Sequence, residues 1–417
     1  MKNEVESLLD HLQKILTAVA ILMFVGTIPP LFAETIKPVL TTTQPATITI
    51  EQLIEDAESG NREAQSSLAK AYLRGDGVPK DYKEAVKWNS KAADQGVAEA
   101  QFNLGVAYGS GEGVDKDPGK AAKWYRKAAD QGNTNAQYSL GLAYNLGTGV
   151  LKDDTEAVKW YRKAADKGVA NAQNNLGAMY ANGAGVPKDY LEAVKLYRKA
   201  AAQGNMNAQC SLGLAYSIGA GVLKDDTEAV KWYRKAAKNG NVEAQYNLGV
   251  MYENGAGIQK DYKEAAKWYR QAAVQGEAKA QFNLALMYST GRGIAEDYKE
   301  AARWYRKAAN QGLANAQTNL GLMYANGAGV PKDYKEAAKW YRKAADQGVS
   351  VAQFNLAILY GKGAGVDGNF IDAHEWLSRA IAGTNDDELR VKFVEFLNGL
   401  EQLMTKEQLT EAHKREK

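Results

Sequence analysis

The sequence predicts an all-α solenoid of 36-residue helix-turn-helix repeats. The first observation is an Ala-Gln pair that returns every 36 residues, in nine copies that span 62–385. The second is that each copy holds two stretches with apolar residues at helical spacing, separated by a glycine-rich segment. A fixed period of this length is typical of stacked repeats rather than of separate globular domains. The pairs begin at Ala64, Ala100, Ala136, Ala172, Ala208, Ala244, Ala280, Ala316 and Ala352.

The first helix of each repeat is predicted from a buried stripe and a glycine stop. In the second repeat, Ala100, Leu104 and Tyr108 recur at helical spacing. Gly111 then offers the left-handed backbone conformation with which helices commonly end. Each repeat therefore begins with an amphipathic helix that stops at this glycine.

The second helix of each repeat is predicted from an acidic start and a tryptophan. Asp-x-x-Glu, as in Asp81 and Glu84, stands at the start in seven of nine copies and is the pattern of an N-cap with its reciprocal acid. All eight tryptophans of the chain fall at one position of this helix, and Leu196 takes that position in the fourth repeat. We expect the tryptophans to fill the core between helices.

Both ends of the repeat array carry segments outside the repeat pattern. Residues 50–61 are predicted to form an N-terminal capping half repeat, which opens with a capping box from Thr49 to Gln52. Residues 386–417 are predicted to form C-terminal capping helices, because Leu389, Phe393 and Leu400 lie at helical spacing. Such caps cover the apolar face of a terminal repeat.

The first 49 residues predict export. Ile15 to Ile28 is an uncharged run of 14 residues, and Ala33 is a plausible cleavage position. This length suits the apolar region of a signal peptide. If the apolar segment is extended through Phe32, a helix of that length nearly spans a membrane. Segment 1–33 is thus either a cleaved signal peptide or a retained membrane anchor, and 34–49 is a Pro/Thr linker. The expected location is the periplasm, the cell envelope or the exterior, with N-terminal membrane anchoring as the alternative.

Composition gives no support for metal, cofactor or nucleic-acid chemistry. The net charge is only +3, which is too small to attract nucleic acid through bulk charge. A lone cysteine, Cys210, provides neither a disulfide nor a cysteine-based zinc site. The three histidines, His11, His374 and His413, are far apart and match no metal-ligand spacing. The sequence therefore predicts no metal site, no cofactor and no nucleic-acid partner.

Motifs that suggest catalysis lack their usual companions. Ser67 and Lys70 match the S-x-x-K pattern of penicillin-binding enzymes, but neither S-D-N nor K-T-G accompanies them. Gly-x-Gly pairs such as Gly75 and Gly77 follow a helix rather than a strand, which removes the context of a dinucleotide loop. No catalytic residue is predicted.

Rows of basic residues run along the repeats without predicting a nucleic-acid surface. We expect them to lie on a solvated face with local ion pairs, because Glu156, Glu228 and Glu264 stand one helical turn away. The row of arginines comprises Arg126, Arg162, Arg198, Arg234, Arg270, Arg306 and Arg342, beside Lys123, Lys159 and Lys231.

Two ribbons on the first helices are the candidates for a binding groove. They point away from the face that packs on the second helix, and the alternative is that they pack between consecutive repeats. Packing is favoured for the aliphatic ribbon, and both interpretations are open for the aromatic ribbon and the neighbouring asparagines. The aromatic ribbon is Phe102, Tyr138, Tyr246, Phe282 and Phe354, the asparagines are Asn103, Asn175, Asn247 and Asn283, and the aliphatic ribbon includes Val106, Leu142, Leu214 and Val250.

The repeat resembles the SEL-1-like repeat family, relatives of tetratricopeptide repeats. The copy that begins at Ala100 reads AQFNLGVAYGSGEGVDKDPGKAAKWYRKAADQG, and the other copies keep most of its marked positions. The resemblance implies a right-handed α/α superhelical solenoid that binds protein or peptide partners in its concave groove. It favours a non-catalytic scaffold or adaptor. The alternatives are an enzyme that acts on cell-wall material or β-lactams, and a structural homo-oligomer; the oligomeric state itself is not predicted.

Overall fold

The computed structural model describes residues 49–415, which form 21 α-helices and contain no β-strand. These residues fall into two compact units, 49–296 and 297–415. Within the described range, no helix combines the length and the apolar character that crossing a membrane requires. The expected signal peptide or anchor, 1–33, and nearly all of the expected linker, 34–49, lie outside the described residues.

The first unit consists of a single leading helix followed by helix pairs. Helix α1 has Thr49 as its N-cap, and the Thr49 side chain accepts a hydrogen bond from the Gln52 backbone. The helices are α1 (Ile50–Glu58), α2 (Arg62–Arg74), α3 (Tyr82–Asp94), α4 (Ala98–Ser110), α5 (Pro118–Asp130), α6 (Thr134–Leu146), α7 (Asp154–Asp166), α8 (Ala170–Asn182), α9 (Tyr190–Ala202), α10 (Met206–Ile218), α11 (Asp226–Lys238), α12 (Val242–Asn254), α13 (Tyr262–Val274) and α14 (Ala278–Thr290).

The second unit continues the same pattern and ends in two helices outside it. Leu389 and Phe393 of the first of these, α20, are buried in the core of the unit together with Leu356. The helices are α15 (Tyr298–Asn310), α16 (Ala314–Asn326), α17 (Tyr334–Ala345), α18 (Ser350–Lys362), α19 (Phe370–Gly383), α20 (Asp387–Glu401) and α21 (Lys406–Arg415).

The acidic start of each second helix forms only half of a capping box. Asp153 accepts a hydrogen bond from the Glu156 backbone at 3.0 Å, as the sequence predicts. In a full capping box the Glu156 carboxylate would accept a hydrogen bond from the Asp153 N–H. Here the Asp153 N–H donates to the carbonyl of Tyr144 instead. Glu156 then pairs with Lys159 at 2.6 Å. The N-cap therefore also fastens the inter-helix loop to the first helix.

The tryptophans pack across the junction between consecutive repeats. Trp160 of α7 is 4% exposed and packs with Ala128 and Ala129 of α5 and with Leu140 of α6. The small alanines leave room for the indole ring between the helices. Trp124 departs from the expectation of full burial, because its side chain is only half-buried.

Glutamines hold each repeat to the one before it. The Gln137 side-chain nitrogen donates to the Ala129 carbonyl at 3.1 Å, near the end of α5, where helical carbonyls have no partner within the helix. The same bond recurs in all nine repeats. A second glutamine near the end of the repeat bonds to the first one. In the second repeat, the Gln131 side-chain nitrogen donates to the Gln101 side-chain oxygen at 2.8 Å.

Candidate protein-binding surface

The predicted aromatic ribbon packs inside its own repeats. The rings of Phe102 and Tyr125 lie 5.9 Å apart, as do those of Tyr246 and Tyr269, while Tyr138 and Tyr161 are 5.8 Å apart. Each pair joins the first helix to the second helix of one repeat. Burial raises the pKa of Tyr125 to about 12 and also raises the pKa of Tyr138 and Tyr246. Phe282 has the same position on α14 and is half-buried.

Phe354 does not belong to an open groove. Its ring is 1% exposed, because α20 covers it: Phe393 stacks on it at 4.6 Å and Phe396 meets it edge-on at 5.3 Å. The prediction that Phe354 faces a partner is therefore wrong. Phe393 and Phe396 of the C-terminal cap occupy the space in which a ligand would contact Phe354.

The candidate asparagines bond to tyrosines of the preceding repeat. The Asn175 side chain donates to the Tyr161 hydroxyl at 3.3 Å, and Asn283 hydrogen-bonds in the same way with Tyr246 and Tyr269. Asn247 is half-buried at the equivalent position of α12, and Asn103 lines a small cleft between α3 and α4. For Asn175 and Asn283 this arrangement favours a role in joining repeats over a role in binding a ligand.

The aliphatic ribbon is more open than the aromatic one. Val106 is 39% exposed and Leu214 is 42% exposed, while Leu142 and Val250 are half-buried. The sequence favours packing between repeats for this ribbon, but the exposure of Val106 and Leu214 instead favours an open surface at these two positions.

The most exposed apolar side chains lie in the loops of the third and fifth repeats. Leu151 is 90% exposed and Leu223 is 92% exposed. Leu146 and Ile218, at the ends of the helices that lead into these loops, are 64% and 61% exposed. A soluble protein scatters single apolar residues over its surface, but a clustered set marks an interaction site.

Consecutive loops form one continuous edge of the first unit. Gly149 (φ +74°) lies against the carbonyl of Pro118, so a Cβ at Gly149 would clash with the first turn of the preceding repeat's second helix. Gly221 lies in the same way against Tyr190, which is 39% exposed and is followed by Leu191, exposed to 57%. We call the resulting surface the loop edge; its apolar members are Leu146, Leu151, Tyr190, Leu191, Ile218 and Leu223.

Sequence reasoning missed the loop edge, although a signal was present. At the position of Leu151 and Leu223, other repeats have residues such as Pro79, Asp115 and Gln259. The remaining repeats have polar residues, proline or, in the seventh repeat, Ala295, so two leucines there indicate a surface feature rather than a repeat requirement.

The arginine row bonds to tyrosines rather than to acids. Arg198 donates to the hydroxyl of Tyr216 at 2.9 Å, and Arg234 donates to Tyr252 at 3.2 Å, in each case in the following repeat. The predicted ion pairs form instead with lysines, as between Lys231 and Glu228 at 2.8 Å. The guanidinium groups therefore link repeats.

The structure also places the motifs that suggested chemistry. Lys70 of the S-x-x-K pattern forms an ion pair with Glu99 of the next repeat at 2.7 Å. His374 and His413 come together in the C-terminal cap, with ring centroids 5.4 Å apart. The sequence spacing of these two histidines does not predict this contact, which forms because α19 and α21 pack side by side.

A repeat model described as the Sel1 repeat matches nine consecutive segments: 62–97, 98–133, 134–169, 170–205, 207–241, 242–277, 278–313, 314–349 and 350–385. The chain belongs to the Sel1 repeat family. Sel1 repeat proteins are typically protein-interaction scaffolds and are generally non-catalytic.

Solved structures of bacterial Sel1 proteins are similar to this chain. A Sel1 repeat protein from Oxalobacter formigenes is 34% identical, with 78% of this chain and 98% of that chain covered and a TM-score of 0.59. The protein c5321, a protective antigen of uropathogenic Escherichia coli strains, is 38% identical, with 87% of this chain and 85% of that chain covered and a TM-score of 0.48. Comparison with curated proteins returned no match.

Proposed function

We propose that this Sel1 protein is a non-catalytic scaffold that binds a partner protein through the loop edge of its third to fifth repeats. The observation that carries the proposal is the exposure of Leu151 and Leu223, 90% and 92%, in two loops of one unit. Full burial of such a leucine stabilises a complex by roughly 1.5–3 kcal/mol. The exposed leucines thus offer anchors for a partner.

The surroundings of these leucines suit a protein surface. Lys152 and Lys224 flank them, at 3.8 Å and 3.7 Å from Asp154 and Asp226 respectively. Apolar anchors beside a polar rim of both charges are typical of protein interfaces. Tyr190 adds an aromatic ring of the kind that is enriched among residues with large binding energies.

The concave groove expected from the sequence is a second contact surface in this proposal. Val106 and Leu214 of the first helices are its open members, whereas Tyr138 and Tyr246 serve to stabilise their repeats. An elongated partner that lies over both surfaces would contact the loops and the first helices together. Export to the cell envelope, expected from 1–33, is part of the same proposal.

The test compares two folded variants in crosslinked capture from the native cells. The loop-edge variant is Leu146→Asn, Leu151→Gln, Ile218→Asn and Leu223→Gln, which gives each position a residue that another repeat already has, Asn182 or Gln259. The groove variant is Val106→Ala with Leu214→Ala, matched to Ala178 of the fourth repeat. Equal helicity and equal thermal midpoints show that both variants are folded.

We expect the loop-edge variant to lose a partner that the wild type captures. Loss in the groove variant alone would move the binding surface to the first helices and contradict the loop-edge proposal. Sedimentation at several concentrations tests whether the partner is a second copy, in which case the wild type associates and the loop-edge variant does not. Hydrolysis of nitrocefin by the wild type would contradict a non-catalytic function.

A further inference from the structure

Three side chains with metal-binding atoms converge in the C-terminal cap. His374 lies on α19, Glu401 is the last residue of α20, and His413 lies on α21. Glu401 Oε1 is 3.1 Å from His374 Nε2 and 3.9 Å from His413 Nε2. All three ligand atoms lie within 4.8 Å of one another. Three helices thus contribute one potential ligand each to a single point.

His374 is a departure from the repeat pattern. The equivalent position in every other repeat is a valine or an alanine, so the helix packing does not require an imidazole. His374 is nevertheless 1% exposed and lies beside Glu401 of the cap. The histidine occurs only in the repeat that meets the capping helices. The equivalent residues are Val86, Ala122, Val158, Val194, Val230, Ala266, Ala302 and Ala338.

The distances come close to those around a tetrahedral transition-metal ion. Zinc binds histidine nitrogen and carboxylate oxygen at about 2.0–2.2 Å, so neighbouring ligand atoms of a tetrahedron stand roughly 3.3–3.6 Å apart. The observed separations of 3.1 Å and 3.9 Å lie on either side of this range. Two histidines and one glutamate are a known zinc ligand set that leaves the fourth position for water. The His413 side chain is 56% exposed, which gives solvent access to that position.

A separate contact holds His413 near the other two groups. Arg415, two residues further along α21, lies 2.9 Å from Asp372 of α19. Because this ion pair and the buried Ala412 dock α21 independently of the histidines, the three ligand atoms are held close to binding geometry.

We propose that His374, Glu401 and His413 bind one divalent transition-metal ion of the zinc class, which joins α19, α20 and α21. The alternative is a hydrogen-bonded cluster that takes no metal. Zinc would stabilise the folded cap because it binds ligands that only the folded chain brings together.

The test is titration calorimetry with ZnCl2 on the full chain, purified without a histidine tag. The variants are His374→Ala, which restores the residue of the eighth repeat, and His413→Ala at an exposed position. His11→Ala is the control, because it removes the remaining histidine of the sequence. We expect one Zn²⁺ per wild-type chain and a higher thermal midpoint with Zn²⁺ but not with Mg²⁺.

Each cluster variant should lower the affinity for Zn²⁺ by more than about tenfold. Loss of a residue that merely supports a metal ligand already lowers metal affinity by about tenfold or more, and loss of a ligand itself should cost more. His11→Ala should bind as the wild type does. Absence of Zn²⁺ binding by the wild type, or wild-type affinity in both His374→Ala and His413→Ala, would overturn the proposal. His413→Ala keeps the test decisive if the buried variant fails to fold.

Discussion

Gly141 of α6 lies directly against the ring of Tyr161 of α7: a Cβ at Gly141 would be only 2.7 Å from Tyr161 Cδ1. The same close approach recurs in five more repeats, in Gly105/Tyr125, Gly177/Tyr197, Gly213/Tyr233, Gly249/Tyr269 and Gly321/Tyr341. The other three repeats have alanine, and in two of them the residue at the tyrosine position is smaller. These pairs are Ala69 with Asn89 and Ala357 with Leu377. The seventh repeat does not follow this pattern, because its sequence has both an alanine, Ala285, and a tyrosine, Tyr305, at these positions.

Gly141→Ala should therefore destabilise the protein although alanine favours helices. Overpacking costs about 1–3 kcal/mol and the gain in helix propensity is about 1 kcal/mol, so we expect a net loss of up to about 2 kcal/mol. Urea unfolding followed by circular dichroism measures it. Tyr161→Leu, which introduces the residue found at Leu377, is the partner change: the double variant should lose less than the sum of the single losses. Additive losses would show that the two residues do not compete for the same space.

Lys167→Gln should stabilise the third repeat. Gln137 Oε1 is buried and has no hydrogen-bond donor. In most repeats a second glutamine donates to this oxygen, but the third repeat has Lys167 at the position of that second glutamine. Glutamine there would donate as Gln203 does to Gln173 at 2.8 Å.

Lys167 itself donates to the Gly132 carbonyl at 2.9 Å, but Gln95 makes both the equivalent bond, to Gly60, and the bond to Gln65. Glutamine at position 167 can therefore make both bonds, and we expect a gain of about 1 kcal/mol in the free energy of unfolding.

The matched control for this change is the reverse substitution, Gln203→Lys. It removes the bond to Gln173 and should destabilise the protein by about 1–3 kcal/mol, because a buried acceptor loses its donor. If Lys167→Gln leaves the urea midpoint unchanged or lowers it, the contact between the two glutamines of a repeat is not a source of stability.

Trp160→Ala should cost about 3–5 kcal/mol, as is typical when a buried aromatic side chain is removed and a cavity remains. The indole packs across a repeat junction, so both neighbouring repeats lose contacts. Trp160→Leu is the control, because Leu196 is buried at this position in the fourth repeat with 7% exposure. A leucine variant as unstable as the alanine variant would show that the position requires an indole rather than apolar volume.

The buried tyrosines predict a loss of stability in alkaline solution. Burial raises the pKa of Tyr125 and of Tyr197 to about 12, above the ordinary value of about 10. The unfolded chain therefore loses these protons first, so the stabilisation is complete below pH ~10 and disappears as the pH rises from ~10 through ~12. We expect the thermal midpoint of Tyr125→Phe to fall less than that of the wild type over this range. Parallel curves would contradict a buried hydroxyl at Tyr125.

The repeat pattern was sufficient to predict the helices, because period, N-caps and glycine stops are local features. Asp153 caps its helix and Gly147 ends the helix before it in the left-handed conformation, with φ +71°, as expected. The partners of polar groups were less predictable. Glu156 bonds to Lys159 because the Asp153 N–H is already used by Tyr144, a contact that depends on the loop path.

The candidate site was predicted less well than the fold. A stripe on a helix shows which residues share a face, but not what covers that face. Phe354 is covered by Phe393 of the cap, and Tyr138 is half-buried against Tyr161. The His374–His413 contact was missed because it joins two helices of different kinds, one inside the repeat pattern and one outside it.

Site-specific photocrosslinking in the native cells shows whether the loop edge binds a partner protein. A photoreactive amino acid replaces Leu151 or Leu223 in turn, with Gln259 at the same loop position of the sixth repeat as the control and Leu214 as the groove position. We expect one adduct of the same mass from positions 151 and 223 and none from 259. Adducts from 214 alone, or equal adducts from 223 and 259, would contradict it.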